Sequence, residues 1–299
     1  MPTCSSHDPV NAVLVHRDQP ERCAESITAF EAQTVPIKVT VIDNGSSPRA
    51  LDLLRRLVPG VEIVETGENL GFGPGANVGF RRWLAGEVPS DGPAGWIVLA
   101  PHDALPEPDC VERLLAAVAE TSRAGLVSAE FGPGQEFVPV LDKIMGGLYQ
   151  TTPRGEGWQD VDYPHGTLLL ARGEMLREVG LFDERFFAYC EEVDLALRAK
   201  RAGWKVGMVW GAVVRNGRLP QQLLADYLQV RNTLLLVQEN SGWYCAAWRC
   251  LFAGMVITSK AVRNPRQASV HARLEGRAVY DFLRRRFGPP PPSVLDLVG

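Results

Sequence analysis

Residues 10–65 read VNAVLVHRDQPERCAESITAFEAQTVPIKVTVIDNGSSPRALDLLRRLVPGVEIVE. Residues 10–15 are a short apolar run closed by the polar stretch His16-Arg17-Asp18-Gln19-Pro20, which predicts a buried parallel strand ending in a turn. Residues 21–33 then set Cys23, Ala24, Ile27 and Phe30 at helical spacing. IKVTVI (37–42) is a second strand, closed by Asp43-Asn44-Gly45-Ser46-Ser47-Pro48. Residues 50–57 form a leucine-rich helix and 61–65 a third strand. This β-α-β-α-β alternation predicts an open, mostly parallel α/β sheet flanked by helices. Such sheets bind ligands beyond the carboxyl ends of their strands. Asp43 stands at one of those ends, so position alone makes it a candidate binding residue.

The alternation continues outward. Residues 77–85 are helical, 95–100 (GWIVLA) a strand and 109–119 a helix, while 166–171 (GTLLLA) and 205–209 are further apolar runs. After Gly217 the pattern changes to long helices at 223–237, 243–262 and 272–287. We therefore divide the chain into a binding and catalytic part (1–217), a helical extension (218–288) and a proline-rich tail (289–299), expected to be extended.

Composition narrows the classes. Of 299 residues, 45% are hydrophobic and 22% charged, which excludes a disordered chain. No apolar run approaches the ~20 residues that span a bilayer, and the N-terminus lacks the pattern of a signal peptide, so the expected location is cytoplasmic. The six cysteines show no metal-ligand spacing and are expected to be reduced thiols. Charge is uneven: residues 215–299 carry 12 Lys and Arg against 5 Asp and Glu, while the body is acidic. An acidic body does not point to nucleic-acid binding.

Three segments carry chemistry. GFGPGA (71–76) satisfies the dinucleotide fingerprint, but two strands precede it and no acidic residue ends a strand about 20 positions on. It reads instead as a glycine-rich loop able to approach a phosphate or ribose, and the nicotinamide-dependent oxidoreductase is kept as a rival. LAPHDALPEPD (99–109) places His102 and Asp103 at a strand end, where Asp103 also suits a turn or cap. FFAYCEEVDLALRAKRAGW (186–204) sets Glu191, Glu192 and Asp194 beside Phe186, Phe187 and Tyr189. Acidic residues at a helix start are favoured by the dipole, yet carboxylates against an apolar wall also suit general-base chemistry. His165, at the start of a strand, reads either as a core histidine or as facing an acceptor.

Taken in order, 12–33, VTVIDNGSS (39–47), ENLGFGPGANVGF (68–80), DALPEPDCVERLL (103–115) and GLFDERFFAYCEEVDLALRAKRAGW (180–204) resemble the family 2 glycosyltransferases, especially the bacterial rhamnosyltransferase-like branch. The resemblance covers residues 10–217 and continues weakly through YLQVRNTLLL and ARLEGRAVYDFLRRRFG. It implies an A-type glycosyltransferase fold with a C-terminal helical extension, binding a nucleotide-diphosphate sugar and transferring the sugar with inversion. It further implies Asp43 at the base, Asn69, Gly71 and Asn77 along the nucleoside and sugar, and Asp103 on the diphosphate through Mg²⁺ or Mn²⁺, with His102 as a possible extra ligand. Glu192 falls where the family has its catalytic aspartate; Glu191 precedes it, and Asp194 and Arg198 follow.

The chemistry is coherent. A sugar hydroxyl needs a carboxylate to take its proton, and a leaving diphosphate needs positive charge. Pro101 stands where an Asp or Asn often precedes the metal aspartate, Arg215-Asn216 where relatives often place a histidine, and Arg17-Asp18 where an aromatic-Asn pair is usual. A family member that binds nucleotide or glycan without transfer is the second rival. The expected acceptor is a glycan, lipid-linked or small-molecule hydroxyl. Trp243, Tyr244, Trp248, Leu251, Phe252, Met255 and Val256 suggest an amphipathic segment that packs on the body, forms a homodimer, or touches the inner face of the membrane.

Overall fold

The computed structural model describes residues 9–87, 95–132, 137–142, 147–151, 155–216, 222–263 and 268–298. In its first half, strands β1 (Val10–His16), β2 (Ile37–Asp43), β3 (Glu62–Glu65) and β4 (Trp96–Pro101) alternate with helices α1 (Pro20–Glu31), α2 (Pro48–Leu57) and α3 (Phe72–Leu84). Proline opens both α1 and α2, where its fixed φ suits the first helical position. A short β5 (Ala104–Pro106), α4 (Cys110–Glu120) and β6 (Ala124–Glu130) follow. Strands β7 (Val138–Leu141) and β8 (Leu148–Thr151) pair as a separate hairpin, and β9 (Gly157–Asp160) precedes β10 (Leu169–Arg172). The remaining elements are α5 (Gly173–Val179), a 3₁₀ turn (Glu184–Phe186), α6 (Glu191–Arg201), β11 (Lys205–Asn216), α7 (Gln222–Ser241), α8 (Trp243–Arg263), α9 (Ala268–Leu283) and α10 (Pro292–Val298).

The main sheet has nine strands in the order β3-β2-β1-β4-β10-β6-β11-β5, with β9 also paired to β11. Strands β3, β2, β1 and β4 are parallel, as are β6 and β11. Strand β10 is antiparallel to both β4 and β6 and joins the two parallel groups. This is the mixed, mostly parallel sheet flanked by helices that the sequence implied.

Period-two alternation sorts the strand residues to two faces. Val13, Val15, Ile97 and Leu99 point into the layer formed by α3, α5 and α6. Ala12, Leu14, Val98 and Ala100 point into the layer of α1 and α4. Helix α7 is shared: Leu235 and Leu236 join the sheet-side core, while Tyr227 and Leu228 pack with Leu274, Ala278 and Val294 of α9 and α10.

Two expectations are corrected. The proline-rich tail is not extended, because Pro292 opens α10 and Val294 is fully buried between α7 and α9. The helix after the glycine motif begins at Phe72 rather than near Asn77, so residues 72–76 are helix and not loop. Among the described residues, no helix is long and apolar enough to cross a membrane.

Candidate active site

The carboxyl ends of β1 and β2 are bracketed by polar groups. His16 Nδ1 donates to Asp43 Oδ1 at 2.9 Å, the Gln19 amide donates to His16 Nε2 at 3.2 Å, and the Ser46 amide donates to Asp43 Oδ2 at 3.2 Å. With Nε2 accepting from the Gln19 amide, Nδ1 is the nitrogen that faces Asp43. Burial alone would raise the Asp43 carboxyl, but the bonds from His16 and Ser46 outweigh it and hold it below the usual carboxylate range. Exposed Asp18, in left-handed backbone, completes the rim by accepting from the Ser47 amide at 2.8 Å. Asp43 is thus a bracket between strand ends, with only 2% of its surface exposed.

Asn44 extends this bracket to the glycine motif. Its Nδ2 donates to the Gly71 carbonyl at 2.9 Å and its Oδ1 accepts from the Leu70 amide at 3.0 Å. Asn69 Oδ1 accepts from the Gly71 amide at 3.1 Å. Gly71 has φ +98°, and a Cβ there would strike the Phe187 carbonyl, so glycine is required on two counts. The other glycines serve helix packing. A Cβ at Gly75 would lie 3.3 Å from a Val15 methyl and one at Gly73 3.3 Å from Glu191 Cγ; beyond the motif, one at Gly79 would lie 2.6 Å from a Val13 methyl. Close packing of α3 on β1 and α6 thus accounts for the spacing of these glycines.

Asn77 is buried, with Nδ2 on the Phe182 carbonyl (2.9 Å) and on Glu184 (3.1 Å), and Oδ1 on the Phe182 amide (3.1 Å). It ties α3 to the segment leading to α6.

At the end of β4, Asp103 is half-buried and receives the Asn216 side-chain amide from β11 at 3.5 Å. His102 hydrogen-bonds the Val15 carbonyl through Nδ1 and lies edge-on to His16. Arg215 pairs with Glu107 at the surface. Among the described residues, no group of three or more His, Cys, Asp or Glu could hold a metal ion. One carboxylate with a neighbouring amide still suits a hard divalent ion that takes its remaining oxygens from a phosphate ligand.

The carboxylates of α6 are presented by an unusual turn. Phe187, Tyr189 and Cys190 all have positive φ (64°, 67° and 74°) although none is glycine, at a cost of about 1–3 kcal/mol each. Glu191 is 4% exposed, and its Oε2 has no hydrogen-bond partner among the described residues. Burial, and then the neighbouring Glu192 charge, lift its carboxyl well above the ordinary range. Glu192 is only partly buried by surface, and desolvation pushes it up to about 7. It faces Gly166, where a Cβ would stand 3.7 Å from its Oε1, and Tyr163, whose phenol is raised by burial and by the Glu192 charge. Both carboxyls of the pair are thus raised by burial, Glu192 to about 7.

Asp194 and Arg198 are turned to other work. Arg198 Nε donates to Asp194 at 2.8 Å, and its other nitrogens donate to the carbonyls of Val179 (2.6 Å) and Leu181 (2.7 Å). They clamp the turn before the 3₁₀ segment, which leaves Glu191 and Glu192 as the free carboxyls. His165 stacks on Phe131 with centroids 4.0 Å apart, and burial depresses it to about 4, so it is neutral.

Sequence reading missed His16, Asn44, Asn232 and Tyr163. For His16 and Asn44 a signal existed, since both are polar residues at strand ends. Asn232 lies inside a long helix and carried none. Its Nδ2 lies 2.8 Å from the carbonyls of Phe186, Ala188 and Tyr189, which share its two hydrogens.

The family model described as glycosyl transferase family 2 matches residues 13–180. The chain is 29% identical over 250 residues to the N-acetylglucosaminyl-diphospho-decaprenol L-rhamnosyltransferase of Mycobacterium tuberculosis, covering 73% of this chain and 80% of that protein. Among solved structures, it is similar to the mannosyltransferase of Pyrobaculum calidifontis in complex with GDP-Man and Mn²⁺, with a TM-score of 0.58, 14% identity, and coverage of 96% and 90% of the two chains. GalNAc-T7 with UDP, GalNAc and Mn²⁺ gives a TM-score of 0.61 at 12% identity, over 79% of this chain and 48% of that one. At these identities the two structures establish a shared fold.

Proposed function

The chain belongs to glycosyl transferase family 2, it is a rhamnosyltransferase-like glycosyltransferase, and from that premise we propose that it moves a sugar from a nucleotide-diphosphate donor to an acceptor hydroxyl with inversion at the anomeric carbon. The donor is dTDP-rhamnose or a UDP-sugar, and the acceptor a glycan, lipid-linked or small-molecule alcohol. The observation that carries this is the Glu191–Glu192 pair at the start of α6, both carboxyls raised by burial and Glu192 to about 7, with Glu191 packed on the first turn of α3 and Glu192 facing Gly166.

Glu192 takes the proton of the acceptor hydroxyl as its oxygen bonds to the anomeric carbon. The bond from that carbon to the diphosphate breaks on the opposite face, releasing the nucleoside diphosphate. Glu191, whose deeper burial disfavours its charge, leaves Glu192 to supply the basic lone pair. We assign the nucleoside to the rim of Asp18, Asp43, Ser46 and Asn69, with Gly71 where the donor loop meets the turn before α6. Asp103, with Asn216 beside it, would hold a Mg²⁺ or Mn²⁺ ion, which when bound supplies positive charge to the leaving diphosphate. In this division residues 1–217 bind the donor and perform the transfer, and 218–288 form the helical extension.

The extension supports a second assignment, contact with an anionic membrane at its cytoplasmic face. Tyr244, Trp248, Leu251, Phe252 and Met255 share one face of α8 and are each at least half exposed, so they do not pack on the body; the Val256 side chain lies outside the described residues. Residues 240–274 contain no Asp or Glu and five Lys or Arg. An anionic lipid surface complements that basic balance beside an exposed apolar face.

The test of the transfer reading is Glu192→Gln. Turnover should fall about 10²-fold or more while donor binding is kept, and the wild-type product should carry the inverted anomer. Retained configuration, or full turnover in the variant, would defeat it. Donor binding by the wild type with no transfer or hydrolysis across a panel of dTDP, UDP and GDP sugars would make the chain a binding member of the family.

A further inference from the structure

The backbone that delivers α6 does not hold its shape unaided. At Phe187, φ is 64° and ψ −63°, and the Ala188 amide donates to the Phe186 carbonyl at 2.8 Å. This is the three-residue turn of the rarer, strained hand. Tyr189 and Cys190 follow with φ of 67° and 74°. Such a run persists only where its surroundings over-determine it.

What surrounds it comes from α7. The Asn232 amide nitrogen reaches three carbonyls within four residues, those of Phe186, Ala188 and Tyr189. Three acceptors converge there, so only a donor can occupy the position. The other end of the same amide, Oδ1, accepts from Arg231 Nε at 3.1 Å, which fixes its orientation. Arg231 itself reaches the Phe186 carbonyl at 3.4 Å, and both side chains are buried. The Phe187 ring is packed with Tyr227, Leu228 and Leu274. From the sheet side, Gly71 leaves space for the Phe187 carbonyl.

We infer that Asn232 is a positioning residue for the reaction: by pinning the carbonyls of residues 186–189 it sets where the Glu191 and Glu192 carboxyls stand and how much water reaches them. The inference rests on Glu192 as the base, and it gives the helical extension a part in the chemistry. Asn232 touches neither carboxylate; it acts through the turn. Its side-chain hydrogen bonds go to that turn and to Arg231, none to the sheet.

The experiment compares Asn232→Ala, Asn232→Ser and Asn232→Asp with the wild type. Amide hydrogen exchange over 187–194 reads the turn directly, through the Ala188 amide and the Asp194 amide on the Cys190 carbonyl. Turnover is read as release of dTDP from dTDP-rhamnose and of UDP from UDP-glucose. In Asn232→Ala, exchange over 187–194 should rise about tenfold or more, while β1 and β2 keep their protection. The kcat should drop about tenfold with the donor KM within twofold. Glu192 faces Glu191 and Cys190 at its own helix start and Tyr163 across the cleft. Water admitted among them should move the acid-side midpoint of kcat from near 7 towards 4.5. Asn232→Asp, with a carboxylate facing three carbonyls, should be more severe. Asn232→Ser, which keeps one donor, should be milder and remains readable if the alanine variant does not fold. Wild-type exchange over 187–194, or faster exchange with unchanged kcat and midpoint, would overturn the inference. Full turnover in Glu192→Gln would instead remove the base assignment, and the exchange result would still report on the clamp.

Discussion

Replacing Glu192 by Gln should make the protein more stable above neutral pH while disabling it. A carboxyl that titrates near 7 instead of 4.5 costs about 3 kcal/mol to fold once ionised, at about 1.4 kcal/mol per pH unit. Glu192 keeps some exposure, and solvent screening brings the expected figure to about 1–2 kcal/mol. The folded midpoint lies above the unfolded one, so the carboxyl is harmless below about 4.5 and its cost grows as pH rises through about 7. Glutamine has no such dependence. Urea melts of both proteins should therefore give the same difference in stability at pH 4 and pH 4.5, with the variant gaining about 1–2 kcal/mol by pH 8. In thermal melts the gain corresponds to roughly 2–6 °C. The comparison between pH values cancels any fixed effect of the amide. A stability difference that does not change with pH would mean that Glu192 folds without a buried charge, and the poised base would be lost with it.

Three further outcomes follow from other parts of the molecule. Gly79→Ala should cost about 1–3 kcal/mol in chemical denaturation, because its Cβ would sit 2.6 and 2.7 Å from the stiff methyls of Val13; a neutral result would show that α3 can slide on β1. Asp103→Asn should weaken nucleoside-diphosphate binding in thermal-shift assays and abolish the difference between Mn²⁺ and EDTA, and a wild type indifferent to EDTA would sink the metal assignment. Trp248→Ser with Phe252→Ser should release the protein from vesicles containing anionic lipid, and binding by the wild type should weaken as salt rises. A wild type that ignores those vesicles at low salt and forms a dimer would assign α8 to a subunit interface.

The sheet was legible where the chain alternates regularly. Val10 to Glu65 announces its strands and helices through apolar runs, turn residues and helix-opening prolines, and the structure returns them within a few residues. Strand β6 was not picked out, since Ala124–Glu130 contains glycine, serine and alanine and is buried on both faces without a strong apolar run. The 71–76 glycines were visible, but their packing role could not be read from them, because close packing and phosphate binding demand the same missing side chain. In the site, Glu191 and Glu192 stood out as clustered charge beside aromatics. Asn77, Arg198 and Asn232 could not be sorted in advance. Each is a polar residue on a helix whose partners are backbone carbonyls or amides far along the chain, and no periodicity records such a bond.

The placement of β10 bears on how the molecule reaches its native state. Strands β1 to β4 come from residues 10–101, yet the neighbour that covers the free edge of β4 is supplied by residues 169–172. Strand β6, made earlier, joins the sheet only through β10 on one side and β11 on the other. The sheet cannot zip up in the order in which it is synthesised. Until β10 docks, the edge beside Ile97, Val98 and Leu99, all fully buried at the end, offers unpaired amides and carbonyls next to apolar side chains. Pairing across such separations is slow, and an open edge of that kind recruits other chains. Refolding yield should thus be governed by a race between intramolecular capture of β10 and association, and it should fall steeply as protein concentration rises.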